Sequence, residues 1–179
     1  MRYESIADIY SANKLIRERF QATVADIGPD EENGLTEGEQ WTPGHLVEHV
    51  SIVYGGMAGI CGKLIGKAKD AGAVSDGTIA ISPDYFSRLG SSAERKVEAP
   101  ERVRPTGGVP LAESIQRLAA ADQALVSMRD DFEAVGLDDH KFPHPLFGDL
   151  TAVEWLILAG LHEHRHTGQL QEMIAKIRQ

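Results

Sequence analysis

Four stretches of this chain repeat their apolar residues at steps of three and four, a period that fits a helix with one buried face. The first passes through Ile9, Asn13, Ile16, Phe20, Val24 and Ile27. It predicts a helix from about Ser5 to about Asp26, ended by Pro29 and the polar run Asp30-Glu31-Glu32-Asn33-Gly34. The second starts at Thr42, whose hydroxyl can accept from free backbone N–H groups, with Pro43 at the first helical position, where a missing N–H loses no bond. Leu46, His49, Val50, Val53, Met57, Ile60 and Leu64 carry it to about Lys69. Pro110 opens a third pattern of Leu111, Ile115, Leu118, Asp122, Leu125, Arg129 and Phe132, closed by Gly136. Thr151, with Glu154 three residues on, makes a capping box for a fourth helix. One face of that helix reads Trp155, Ala159, His162, His166, Gln169 or Leu170, Met173 and Ile177.

These elements predict an all-α fold, a four-helix bundle with a long crossover between helices two and three. The crossover, residues 70–109, is rich in Gly, Pro, Ser and charge and shows only a short turn around Asp84-Tyr85-Phe86, with internal strands left open. The 179 residues, 42% of them hydrophobic, suit one domain, 1–179, and are too few for two of ordinary size. Gly55, Gly59, Gly62 and Gly66 form a row on the second helix, each less favourable there than Ala by ~1 kcal/mol. Such a row lets another helix approach closely. That helix belongs either to this chain or to a second copy, and a homodimer packed along the row is the expectation.

Eighteen Lys and Arg against 27 Asp and Glu give a net charge of −9, which works against nucleic acid and anionic membranes as partners. Cys61 is the single cysteine and can make no internal disulfide, and the first residues lack the apolar core of a signal peptide. No stretch approaches the ~18 to 20 apolar residues of a spanning helix. The expected setting is therefore the cytoplasm, with a small-molecule substrate as partner.

Two histidine runs carry the chemistry. His162-Glu163-His164-Arg165-His166 satisfies the zinc-peptidase pattern His-Glu-x-x-His, and His45-Leu46-Val47-Glu48-His49 satisfies its inverted form. Context argues against both readings. Only 13 residues follow His166, Glu172 is the sole acidic one, Gly168 sits one place early for the extended motif, and the chain lacks the bulk of the inverted class. Pooling the two helices works better. His162 and His166 stand on one face four residues apart, and His49 lies within the inward stripe of helix two. Three imidazoles with a position left open is the donor set of catalytic zinc. Imidazole suits zinc, nickel, copper and iron alike.

The neighbouring groups divide into helpers and bystanders. His45 is either a fourth ligand or, as its place in the first turn favours, a capping or exposed residue. His164 points about 160° from the ligand face. His140 and His144 lie on a loop, where they either reach the mouth of the site or face water. Asp122, with Glu48 and Glu163 behind it, is the candidate partner for a ligand N–H; the alternative for Asp122 is pairing with Arg165 or another cation. Cys61 reads as a small buried hydrophobe, and Trp41 and Trp155 as packing at the bundle end.

The stretch Trp41-Thr42-Pro43-Gly44-His45-Leu46-Val47-Glu48-His49-Val50 resembles the DinB-like superfamily, which includes YfiT-type metal hydrolases and thiol-dependent transferases. So does the tail from His144-Pro145-Leu146-Phe147-Gly148 through Thr151, Glu154, Trp155, His162, Arg165, His166 and Gln169. The resemblance implies an up-down-down-up bundle, frequent dimers, and a divalent ion, nickel or zinc, on the matching positions His49, His162 and His166. The expected function is a metal-dependent enzyme that activates water or a low-molecular-weight thiol, a hydrolase or an S-transferase. The alternatives are a non-catalytic stress protein that binds metal or a small ligand, and a bundle whose histidines only pack.

Overall fold

In the computed structural model, which describes residues 3–93 and 98–179, the four predicted helices are present. They are α1 (Ile6–Ala25), α2 (Pro43–Asp70), α4 (Leu111–Ser127) and α6 (Ala152–Ile177), with α3 (Tyr85–Ala93) and α5 (Arg129–Ala134) as short additions. A hairpin of β1 (Lys141–His144) and β2 (Gly148–Thr151) leads into α6. Three helices begin with reciprocal caps that satisfy the free N–H groups of the first turn: Ser5 with Asp8, Thr42 with His45, and Thr151 with Glu154.

Cross-helix contacts give the topology. Asn13 meets Leu156, Arg17 meets Glu163, Thr23 meets Gln171 and Asp26 meets Arg178, so α1 and α6 run parallel. Tyr54 meets Asp122, Gly62 meets Met128 and Lys69 meets Asp131, so α2 runs parallel to the α4–α5 arm. Across the pair, Cys61 meets Ala152 while His49 meets His162 and His166, which makes α2 and α6 antiparallel. The order is therefore up-down-down-up, and it requires the long crossover. Ile9, Phe20, Leu46, Leu64, Leu125, Leu156 and Leu170 fill the interior. Each such side chain stabilises the fold by about 1.5–3 kcal/mol relative to exposure.

The close fit of α1 on α6 at Asn13 depends on Gly160. A Cβ built there would lie 2.0 Å from Oδ1 of Asn13, whose Nδ2 donates to the Leu156 carbonyl at 2.9 Å. Gly160→Ala must push α1 away from α6 or break that bond. The expected loss is about 1–3 kcal/mol in urea unfolding. An unchanged midpoint would show that the two helices are not held at this spacing.

Three elements differ from the sequence expectation. The third helix is interrupted at Met128, which has φ −88° and ψ 0° and ends α4 while starting α5. The bend keeps Phe132 buried against Tyr10 of α1, with ring centroids 6.1 Å apart. The segment before α6 is a hairpin in the register Lys141↔Thr151 to His144↔Gly148 instead of a loop; in a two-stranded sheet Pro143 sits on an edge, where no ladder N–H is needed. The crossover contains a nine-residue helix, α3, where a single turn was expected, and no strand among the described residues. Residues 94–97 of that crossover lie outside the described residues.

The crossover is fastened twice. Near its start, the Ser82 N–H donates to Oε1 of Glu154, Tyr85 donates its hydroxyl to the Glu154 carbonyl, and the Thr151 hydroxyl donates to Ala80. Near its end it is tied to α2 through Glu48. Among the described residues the glycine row of α2 is left uncovered at Gly55, Gly59 and Gly66, where an added Cβ would meet nothing within 4 Å, while an added Cβ at Gly62 would meet Met128. Among the described residues no helix is long and apolar enough to cross a membrane.

Candidate metal centre

His49 of α2 and His162 and His166 of α6 come together in a cluster that could hold a metal ion. Each offers one ring nitrogen, and those atoms all lie within 4.8 Å of one another. The ring centroids are 5.2 Å apart for His49 and His162, 5.1 Å for His49 and His166, and 4.4 Å for His162 and His166. Helical spacing makes the last pair adjacent. The antiparallel packing of α2 on α6 brings in the third ring.

The outer bonds of the rings decide which nitrogens face inward. Nδ1 of His49 donates to the Val103 carbonyl at 2.7 Å, and Nδ1 of His166 donates to Oε1 of Gln169 at 3.0 Å. In neutral imidazoles this leaves both Nε2 atoms as acceptors aimed into the cluster. Nε2 of His166 lies 3.1 Å from Nε2 of His162, so either a proton or a shared cation separates the two lone pairs. Two nitrogens bound to one ion at ~2.0–2.1 Å each stand about 3–3.4 Å apart, and the observed separation falls in that range. Nδ1 of His162 is buried without a hydrogen-bond partner among the described residues. The donor set fits a divalent ion.

All three rings are held neutral. Burial is the chief cause for each, and the neighbouring Arg165 pushes in the same direction. His166 is driven down to about 3, with the charge of His49 acting as a further cause. The native metal-free protein therefore binds fewer protons than the unfolded chain between the ordinary imidazole value and that lower one. Stability is present above pH 6.5 and is lost as pH falls. For His166 the expected loss between pH 7 and 5.5 is about 1 kcal/mol, read from urea midpoints. His166→Gln should flatten that slope, and an equal slope in the variant would refute the assignment.

The helpers expected from sequence are engaged elsewhere. Asp122 accepts from Tyr54 at 3.1 Å and lies 3.7 Å from Nε of Arg17, so it serves another cation and no ligand imidazole. Glu163 is fully buried, 2.8 Å from Nη1 of Arg17. Burial pushes its carboxyl up to about 7 against the pull of Arg17, and Asp122 adds to the rise. The Arg17 guanidinium also lies 4.1 Å over the Tyr54 ring. Glu48 accepts from the Thr106 N–H at 2.8 Å, the Thr106 hydroxyl at 2.8 Å and the Gly107 N–H at 3.1 Å. Burial works to raise its pKa, but these donors outweigh it and hold the carboxyl below its usual range.

His45 caps α2, its Nδ1 accepting from the Thr42 N–H, and it stands outside the cluster. His164 is exposed on the far face of α6, in a groove shared with α1. His140 does not join the cluster. Cys61 is buried with its Sγ 3.6 Å from the Ala152 carbonyl, a packing residue as expected. Trp41 packs its ring 4.9 Å from that of His49, and Trp155 meets His144 at 5.3 Å. Two outer partners of the rings were not assigned as such from the sequence, although Gln169 was already placed on the inward face of helix four. Gln169 announced itself only by its place one turn from His166, and the Val103 carbonyl left no signal, because any residue supplies one.

The fold and the cluster together define a helical bundle with a three-histidine centre between two antiparallel helices. A family model described as the DinB superfamily matches residues 12–170, and the chain belongs to that family. The uncharacterized protein YuaE of Bacillus subtilis (strain 168) is 40% identical over 55 residues, so the match spans 30% of this chain and 30% of that protein. The crystal structure of TT2238, a four-helix bundle protein, superimposes with a TM-score of 0.63 at 22% identity, covering 94% of this chain and 99% of that one. That likeness is one of fold.

Proposed function

We propose that His49, His162 and His166 hold one divalent ion, nickel or zinc, and that the protein is a metal-dependent enzyme acting as a hydrolase or a thiol S-transferase. The observation that carries this is the pair of outer bonds, from His49 to Val103 and from His166 to Gln169, which aim two lone pairs at one point beside a third ring. Such an ion supplies Lewis acidity that lowers the pKa of a bound water or thiol. The chain's own part is to fix three neutral donors and keep their faces dry. Glu48 and Glu163, the carboxylates nearest the ligands in sequence, are committed to Thr106, Gly107 and Arg17, so neither is free to act as base. Trp41 shields His49. A homodimer along the exposed glycines of α2 belongs to the same proposal, and so does a small-molecule substrate.

Elemental analysis of protein purified without an affinity tag tests the reading. About one equivalent of a divalent metal per chain is expected, absent in His49→Ala and in His162→Ala. Loading should raise the melting temperature of the parent protein alone. No uptake by the parent at pH 7.5 would end the proposal. Turnover of amides, esters or a thiol with an electrophile, lost with the metal, separates the enzyme from a non-catalytic metal-binding stress protein.

A further inference from the structure

Four cations of the helices are answered by an acid one turn away: Lys14 by Glu18, Arg88 by Asp84, Arg117 by Glu113 and Arg129 by Glu133. Arg19 and Arg165 are not. Three and four residues to either side of Arg19 stand Leu15, Ile16, Ala22 and Thr23, and around Arg165 stand Leu161, His162, Gly168 and Gln169, none of them acidic. Among the described residues neither exposed guanidinium has an acidic partner or a hydrogen-bond acceptor from elsewhere. In a chain of net charge −9 such a pair is an exception.

The two arginines line one groove. Where α1 and α6 run side by side their outer faces enclose a space of ≈ 990 Å³, bordered by Arg19, Ala22 and Asp26 of α1 and by His164, Arg165 and Gly168 of α6. Arg17 meets Glu163 and Thr23 meets Gln171, so Arg19 and Arg165 stand at the same level of the two helices. Nε2 of Gln171 donates to the Thr23 hydroxyl at 3.2 Å and ties the helices together across the groove. At the far end Arg178 is already neutralised, by Asp26 at 2.9 Å and by Glu31 at 2.6 Å. The unanswered charge therefore gathers at the end held by Arg19, His164 and Arg165. An added Cβ at Gly168 would meet nothing within 4 Å, so the groove is open beside them.

The chemistry of the lining selects the occupant. Guanidinium groups take phosphoryl and carboxylate oxygens through paired N–H bonds, and His164 brings a further ring N–H. No Phe, Tyr or Trp lines the groove, so it offers no aromatic platform for a nucleobase. Exposed charges more than about 8 Å away are screened at physiological ionic strength, so the groove's own residues set its potential. We propose that the Arg19 and Arg165 end of this groove binds a small, multiply charged oxyanion, with one charged group on each guanidinium. The site lies on the exposed face of α6, away from the buried histidine cluster, and stands independently of the metal reading.

Calorimetric titration of the full chain with fructose 1,6-bisphosphate and with tricarballylate tests it, the first presenting phosphoryl groups and the second carboxylates. One-to-one binding of at least one probe is expected, weakened about tenfold or more in Arg19→Gln and in Arg165→Gln. Gly168→Glu should weaken it as strongly, because that carboxylate stands three residues from Arg165 and claims its guanidinium. All three positions are exposed, so urea midpoints should stay near that of the parent. His49→Ala, which dismantles the histidine cluster, should bind the probes as the parent does. Binding lost in His49→Ala would place the anion on a metal and overturn the groove site. So would affinity unchanged in both arginine variants, or no binding of either probe at millimolar concentration.

Discussion

Arg17→Met is expected to destabilise the bundle by about 3–5 kcal/mol, the largest stability effect anticipated for this chain. Arg17 is 4% exposed and Glu163 0%, and the two meet at 2.8 Å between α1 and α6. The guanidinium is held by charge and by the face of Tyr54, since none of its nitrogens finds a hydrogen-bond partner of good angle among the described residues. Removing it leaves Glu163 buried with no opposing cation, and the carboxyl must then stay protonated or draw water into the core. The double change Arg17→Met with Glu163→Leu should recover most of the loss, because two apolar side chains of similar bulk need no compensation. Urea unfolding of the three variants is the measurement. A single-variant effect below about 1 kcal/mol would mean the pair does not matter to the core.

The second large effect concerns the centre. Glu48→Ala deletes the acceptor of three hydrogen bonds from Thr106 and Gly107. The released donors are near the surface and can turn to water, so the crossover loosens while the bundle stays folded. The consequence reaches His49, because the Val103 carbonyl that fixes its ring lies in the same segment. An imidazole without its outer partner loses orientation and basicity, and metal affinity should fall about 10–100-fold by competition with a chelator. Faster hydrogen exchange around residues 103–107 should accompany it. Unaltered affinity would show that Glu48 acts on the crossover alone.

The histidine cluster was legible because its members lie on the strongest periodic signals in the chain. His49, His162 and His166 share their stripes with Leu46, Val53, Trp155 and Met173, so the helical period alone predicts that they point inward. The capping boxes at Thr42 and Thr151 fixed where two of the helices begin. The hairpin was hidden by its composition, since two short strands around Pro143, Pro145 and Gly148 read as a loop until a partner strand is known. The bend at Met128 was hidden too, because Arg129 and Phe132 continue the period across it. Glu48 and Glu163 sit beside ligands in sequence yet point off the ligand face, and their real partners, Thr106 and Arg17, are distant in the chain. Such pairings depend on packing that no local pattern encodes.

The double fastening of the crossover has a consequence for the histidine rings. One tie grips the start of α6 through Glu154, and the other grips α2 through Glu48, so each helix that carries the histidines is held by one end of the segment. The three rings are thereby braced from outside the apolar interior. The placing of the three histidine rings thus depends on these polar ties as well as on the apolar contacts between α2 and α6.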